Sequence, residues 1–220
     1  MNAPVAPVRL QPDFVQRPIP EAFLQALAQR FGAQCSTALA VREQHGRDEG
    51  AIQAPPPAAV VFAESTQDVQ DALKLADQHA VPVIPYGAGS SLEGHLLAVE
   101  GGISLDLSRM NRILSVNTED LTVTVQPGIT RKQLNDAIKD TGFFFPIDPG
   151  ADASIGGMTA TRAIGTPICM VWMTVRTAAS ILGKEQMAAL TASGSGYRRT
   201  VISVTTPSVP SLPTIRRVRS

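Results

Sequence analysis

Residues 85–95 read Pro85-Tyr86-Gly87-Ala88-Gly89-Ser90-Ser91-Leu92-Glu93-Gly94-His95, PYGAGSSLEGH, and follow the apolar run VPVIP. An apolar run that ends in so bare a loop brings backbone close to something. Glycine lets N–H groups approach a ligand with no Cβ in the way. Consecutive N–H groups in a tight loop form a nest for an anion, and Ser90 and Ser91 add hydroxyl donors. Leu92 stands where a third glycine would complete G-x-G-x-x-G, and no Gly-Lys-Ser/Thr follows to make a P-loop. Read alone, the loop is either a plain strand-ending turn or a cradle for a diphosphate.

The flanking sequence frames the loop as part of an α/β opening. PEAFLQALAQRF (20–31) spaces Phe23, Leu24, Leu27 and Phe31 as a helix that Gly32 stops. The proline-rich APPP leads into a strand at Ala59–Phe62. STQDVQDALKLADQH (65–79) is a capped helix with Val69, Leu73 and Ala76 as its buried stripe. Beyond the loop, strands are expected at Ile103–Asp106 and Leu121–Gln126. The second alternates Thr122 and Thr124 with Val123 and Val125. ITRKQLNDAIKDTGF (129–143) is a helix capped by Thr130, with Leu134 and Ile138 in the core and Gly142 at its end. A second loop, PIDPGADASIGGMTATRA (146–163), sets Pro149-Gly150 and Gly156-Gly157 among small residues. Two such loops suggest a long ligand held at two points.

The totals exclude several functions. The chain has 220 residues, 44% of them hydrophobic, enough for one large or two small domains. Lys+Arg and Asp+Glu are both 19, so no overall field points to nucleic acid. Cys35 and Cys169 are far apart and without metal spacing, so neither a disulfide framework nor a zinc site is read, and a reducing compartment fits. No apolar run approaches the roughly 20 residues of a membrane span. The start lacks the charged and apolar regions of a secretory signal.

Taken together, five strings resemble the FAD-binding domain of the vanillyl-alcohol oxidase/PCMH flavoprotein superfamily. They are AVREQHGRDE, VPVIPYGAGSSLEGH, GGISLDLSRMNRIL, QPGITRKQLN and FFPIDPGADASIGGMTATRA, spread over residues 31–166. The nearest likeness is the group of FAD-linked oxidases that holds D-lactate dehydrogenase (cytochrome) and the flavin-bearing chain of glycolate oxidase. The resemblance implies an α+β fold with two α/β subdomains, the second incomplete here. It implies that Gly87, Ala88, Gly89, Ser90 and Ser91 hold the FAD pyrophosphate, with Pro85 and Tyr86 beside them as cofactor-binding residues. Pro149, Gly150, Ala151, Ser154, Gly156, Gly157 and Thr161 would run along the cofactor. Some members attach flavin through a histidine in the first loop. Ser90 takes that place here, so FAD is expected to be non-covalent, and His95 is read as a structural or surface histidine. Arg42, His45, Arg47, Asp48 and Glu49 read first as a solvated turn, although the family's similar string packs near the cofactor end. Asp106, Arg109 and Arg112 are expected to orient a turn. Asp148 and Asp152 make no glycosidase pair.

Intact relatives would oxidise a D-2-hydroxy acid by hydride transfer to flavin. They would pass electrons to a cytochrome, quinone or partner subunit, in the cytoplasm or at a membrane reached through that partner. The likeness stops near residue 166. From residue 163 onward there are seven basic residues and one acid, Glu185, a net of +6 against −6 for residues 1–162. The later family signatures and the substrate-binding cap are not found, so no catalytic residue and no metal ligand is assigned. The expected organisation is a disordered lead (1–19), a helical segment (20–54), a truncated FAD-binding domain (55–166) and a divergent, disordered tail (167–220). A frameshifted or truncated gene product fits that break, the alternative being a genuine divergent end. Such a chain would hold FAD weakly without catalysis, or fold only in part. Translating the coding DNA in its other two frames separates the possibilities.

Overall fold

The computed structural model describes residues 14–50 and 52–163, with the backbone of residues 172–175 and 201–204. The chain divides into two units, the first ending at Met110 and the second beginning at Asn111.

The first unit is built on a four-stranded sheet. Its elements are α1 (Glu21–Phe31), β1 (Cys35–Ser36), α2 (Leu39–His45), β2 (Ala59–Phe62), α3 (Thr66–Gln78), β3 (Val83–Tyr86) and β4 (Ile103–Asp106). The strand order is β1-β2-β4-β3. β4 is parallel to both neighbours, and β1 is antiparallel to β2. All four residues of β4 are buried, as befits a central parallel strand covered on both faces. Pro85, which has no N–H to give a ladder, lies in β3 at the sheet edge.

Phe23, Leu27 and Phe31 recur every four residues on α1 and share one core with Ala59, Val61, Ile103 and Leu105 of the sheet. Each such large side chain contributes roughly 1.5–3 kcal/mol on burial. α1, at the start of the helical segment expected over 20–54, therefore packs into the sheet's own core. The expected lead is also tied down in its described part. Gln16 Nε2 donates to the carbonyls of Pro55 and Ala98, both at 2.8 Å, and the Arg17 N–H donates to Glu100. Residues 1–13 lie outside the described residues.

α3 begins on a reciprocal cap. The Ser65 hydroxyl accepts from the Asp68 N–H, and the Asp68 carboxylate accepts from the Ser65 N–H. Its buried stripe is Ala72 and Ala76, with Val69 and Leu75 partly buried against the core. The expected Leu73 sits at the margin, because alanines fit the close approach of helix to sheet. Asp68 also accepts from the Glu64 N–H and pairs with Arg30 of α1 at 3.1 Å. Burial pushes the Asp68 carboxyl up, but its hydrogen bonds from Ser65, Glu64, Gln34 and Arg30 outweigh this and hold it below the ordinary carboxylate value. Its contribution is present above that ordinary value and is lost as pH falls through the lowered one. Asp68→Ala is expected to cost about 2 kcal/mol at pH 7. Urea midpoints measured across the acid range should show a shallower loss in the variant than in the wild type. Identical acid profiles would refute this role.

The second unit holds β5 (Ile113–Asn117), β6 (Thr122–Val125), α4 (Arg131–Ile138), α5 (Ile155–Ala160), β7 (Trp172–Val175) and β8 (Val201–Val204). β5 and β6 form an antiparallel hairpin with an irregularity between Ile113 and Ser115. Asn117 shapes its turn, accepting from the Glu119 and Asp120 N–H groups. The alternation foreseen in β6 is present: Val123 and Val125 are buried and the threonines are half-buried. Its partner β5 is unforeseen in the sequence, and the reason is physical. Its residues are exposed except for a half-buried Ile113, so no period marks it. α4 carries a capping box of Thr130 and Gln133, and Gly142 adopts the left-handed conformation at φ 78° after a short 3-10 turn. Leu134, Ile138, Phe145, Ile147, Ile155 and Met158 make the core with β6.

Within 167–220, expected to lack regular structure, β7 and β8 pair in parallel from Trp172↔Val201 to Val175↔Val204. The remainder of that stretch lies outside the described residues. Among the described residues, no helix is long and apolar enough to cross a membrane.

Candidate functional site

The first glycine loop leaves β3 at Tyr86. Its ladder is closed by the Leu107 N–H donating to the Tyr86 carbonyl at 3.0 Å. From there the backbone changes character. Among the described residues, the N–H groups of Gly87, Ala88, Gly89, Ser90 and Ser91 donate no hydrogen bond. Five consecutive donors on a surface loop, one of them at φ 76° on Gly89, are a donor-rich stretch of the kind that can cradle an anion. A Cβ on Gly89 would also meet the Tyr86 hydroxyl, which lies directly against it.

What holds the loop is the REQHGRDE segment, whose polar residues by themselves suggest a solvated turn. Asp48 Oδ2 accepts from the Gly94 N–H at 2.6 Å and its Oδ1 from Gly50 at 2.9 Å. The Glu49 N–H donates to the Ser91 carbonyl at 2.8 Å. Arg42, by contrast, donates to the Pro57 carbonyl, and Arg47 is exposed. His45 is buried at the end of α2. Its ring lies 4.3 Å from that of Tyr86 and edge-on to Phe62 at 5.5 Å. Its Nε2 is 2.8 Å from Asp106 Oδ2, and its Nδ1 is 2.8 Å from the Val41 carbonyl. Nothing in the sequence near His45 marks it as buried, because its partner lies 61 residues away.

Asp106 does orient a turn, accepting from the Ser108 N–H at 2.7 Å. Burial pushes its carboxyl up, while hydrogen bonds from His45 and Ser108 hold it below the usual carboxylate range. Burial, and then the charges of Asp106 and Glu49, raise the Tyr86 phenol above its ordinary value. Arg109 pairs with Glu64 at 2.7 Å and lies over the Phe62 ring. Exposed His95 accepts from or donates to the Ser91 hydroxyl at 2.9 Å.

The second loop, in the other unit, is constructed differently, and most of its donors are spent internally. The Gly156 N–H donates to Pro127, Ile155 to Ile129, Gly150 to the Asp148 carboxylate and Gly157 to the Ser154 hydroxyl. Gly156 is glycine because a Cβ would stand 2.7 Å from Pro127 Cβ. The close approach expected of the Gly-Gly pair is therefore made to the protein's own Pro127. Exposed Pro149, Gly150 and Ala151 form the bare tip. Thr161 closes α5 by donating its hydroxyl to Gly157. Asp148 pairs with Arg131 at 3.0 Å, and Asp152 accepts from the Lys132 N–H. Among the described residues, no three His, Cys, Asp or Glu side chains come together as a metal site.

A mixed α/β scaffold carrying an N–H-rich glycine loop at the end of a parallel strand is the architecture of a nucleotide-cofactor domain. The chain belongs to the FAD binding domain family, which it matches over residues 57–178. It is 48% identical over 131 residues to a probable mitochondrial D-lactate dehydrogenase of Danio rerio, covering 60% of this chain and 26% of that one. It is 46% identical over 110 residues to the mitochondrial D-lactate dehydrogenase (cytochrome) of Arabidopsis thaliana, covering 50% and 19%. It is 37% identical over 103 residues to the glycolate oxidase protein GlcD of Bacillus subtilis, covering 46% and 22%. The chain thus spans about a quarter or less of the length of these relatives.

Among solved structures it is similar in fold to alkyldihydroxyacetonephosphate synthase, with a TM-score of 0.61 and 24% identity over 70% of this chain and 34% of that one. It is similar likewise to p-cresol methylhydroxylase with substrate bound, with a TM-score of 0.55 and 22% identity over 69% and 32%. The fold is accordingly of the PCMH type, and the family's cofactor is FAD.

Proposed function

We propose that this chain holds FAD without a covalent bond, taking the diphosphate on Gly87–Ser91. The whole protein would oxidise a D-2-hydroxy acid of the lactate or glycolate kind. The observation that carries the reading is the row of five undonated N–H groups on a loop braced by Asp48 and Glu49. Pro85 and Tyr86 aim the loop from the sheet edge, and Ser90 and Ser91 add hydroxyls to the backbone donors. The bare tip at Pro149, Gly150 and Ala151, with Ser154, Gly156, Gly157 and Thr161 behind it, is proposed as the second contact along the cofactor. Bound FAD supplies the capacity to accept two electrons. The protein's own part is to position and to exclude water. The electron acceptor would be a cytochrome, quinone or partner subunit, reached in the cytoplasm or at a membrane surface.

A second reading is that these 220 residues hold FAD but do not turn over, being a truncated or frameshifted form. The change of charge along the chain, from −6 over residues 1–162 to +6 from residue 163 onward, favours it. Both are tested by mixing the purified chain with FAD, desalting, and recording the visible spectrum. A retained flavin band that acid releases into solution supports non-covalent binding, and loss of the band on desalting refutes it. Bleaching of the retained band by D-lactate or glycolate supports turnover. An unbleached band leaves the non-catalytic reading standing.

A further inference from the structure

The His45–Asp106 pair lies beneath the glycine loop, is almost wholly buried, and has no part in the binding scheme above. Both ring nitrogens of His45 face acceptors at 2.8 Å, a carboxylate on one side and the Val41 carbonyl on the other. A neutral imidazole has one N–H and can satisfy only one of them, whereas the doubly protonated ring satisfies both. Its place at the end of α2 also favours positive charge. The pair is therefore an ion pair of no net charge. The Tyr86 ring packs against His45, tilted at 42° with centroids 4.3 Å apart, and the Tyr86 hydroxyl lies against Gly89.

We propose that His45 is a positioning residue for the diphosphate loop: it seats Tyr86 under Gly89 and cancels the Asp106 charge that would otherwise repel the anion above it. The proposal rests on the reading that Gly87–Ser91 takes the FAD diphosphate.

The charged and titratable groups around His45 are few among the described residues. Asp106 faces it from β4 and Tyr86 from β3. β2 offers the uncharged Phe62, and Arg42 of its own helix is engaged at the Pro57 carbonyl. Glu49 adds negative charge on the Tyr86 side. Burial alone would lower the His45 pKa, but the hydrogen bonds to Asp106 and Val41 and the Asp106 charge outweigh it and raise it above the ordinary imidazole value. The ion pair is thus intact below that ordinary value and is lost as pH rises through the raised one. Above it, Asp106 is left as an uncompensated buried anion, and diphosphate affinity falls.

The test compares wild type, His45→Gln, and the double variant His45→Gln with Asp106→Asn, which keeps a hydrogen-bonded pair but carries no charge. FAD affinity is measured by flavin fluorescence quenching from pH 6 to 9, with circular dichroism confirming the fold. The expected single-variant loss is about tenfold at neutral pH. The double variant should recover most of it and lose the pH dependence. A double variant as weak as the single one, or a flat wild-type profile, overturns the charge role.

Amide hydrogen exchange without FAD gives an independent readout at the N–H groups of Leu107 and Glu49, which bond to Tyr86 and Ser91. Faster exchange there in His45→Gln, with the Ile103 amide unchanged, supports positioning. Unchanged exchange refutes it. If the wild type retains no FAD, the reading of the loop fails by itself, and the exchange result still decides whether His45 seats it.

Discussion

Gly89→Val is expected to abolish FAD retention while the sheet of the first unit stays folded. Gly89 sits at φ 76°, a region that costs a β-branched residue roughly 1–3 kcal/mol. A Cβ there also meets the Tyr86 hydroxyl, so that side chain must shift as well. The loop therefore relaxes to another conformation, and returning it to the nest costs at least the strain energy. At about 1.4 kcal/mol per decade, strain alone removes on the order of ten- to a hundredfold in affinity. Flavin quenching by titration checks the number, and circular dichroism checks the fold. Wild-type affinity in Gly89→Val would remove the loop from the cofactor site altogether.

Gly102→Ala has its effect on stability instead. Gly102 lies at φ 110° on the entry to β4, and an added Cβ would press into the Pro82 carbonyl group, 2.9 Å from its carbon and nearer still to its oxygen. That carbonyl is also the acceptor for the Ile103 N–H, so it cannot retreat without loosening the first bond of the central strand. Backbone strain of roughly 1–3 kcal/mol adds to overpacking of about 1–3 kcal/mol. Against a total stability of about 5–15 kcal/mol, that is a large share. The urea midpoint should fall steeply and the expressed chain should become aggregation-prone. A midpoint within error of wild type would mean that the backbone at the start of β4 tolerates what the geometry forbids.

The elements legible in the sequence are those whose signal is local. α1 follows from Phe23, Leu27 and Phe31, and α3 from the Ser65–Asp68 cap. β6 follows from alternating threonine and valine, and the end of the α4 segment from Gly142. The first loop is legible as a donor-rich stretch because glycine and serine say so one residue at a time. The second loop is legible as a run of small residues. That Gly156 is small for the sake of Pro127 cannot be read there, since the contact joins positions 29 residues apart.

The sequence by itself determined the α/β alternation, the helix caps, a strand at Ile103–Asp106 and the family likeness, because periodicity, capping and glycine chemistry are written in neighbouring residues; that this strand is central and buried came from the structure. Only the tertiary structure decided what lies under the loop. It took a polar string that reads as solvated surface and placed His45 against Asp106 and Tyr86, and Asp48 against Gly94. It also joined the first helix to the sheet's core. A charge becomes structural only when its partner and its burial arrive together. Both are properties of packing between distant segments, which no local reading of residues contains.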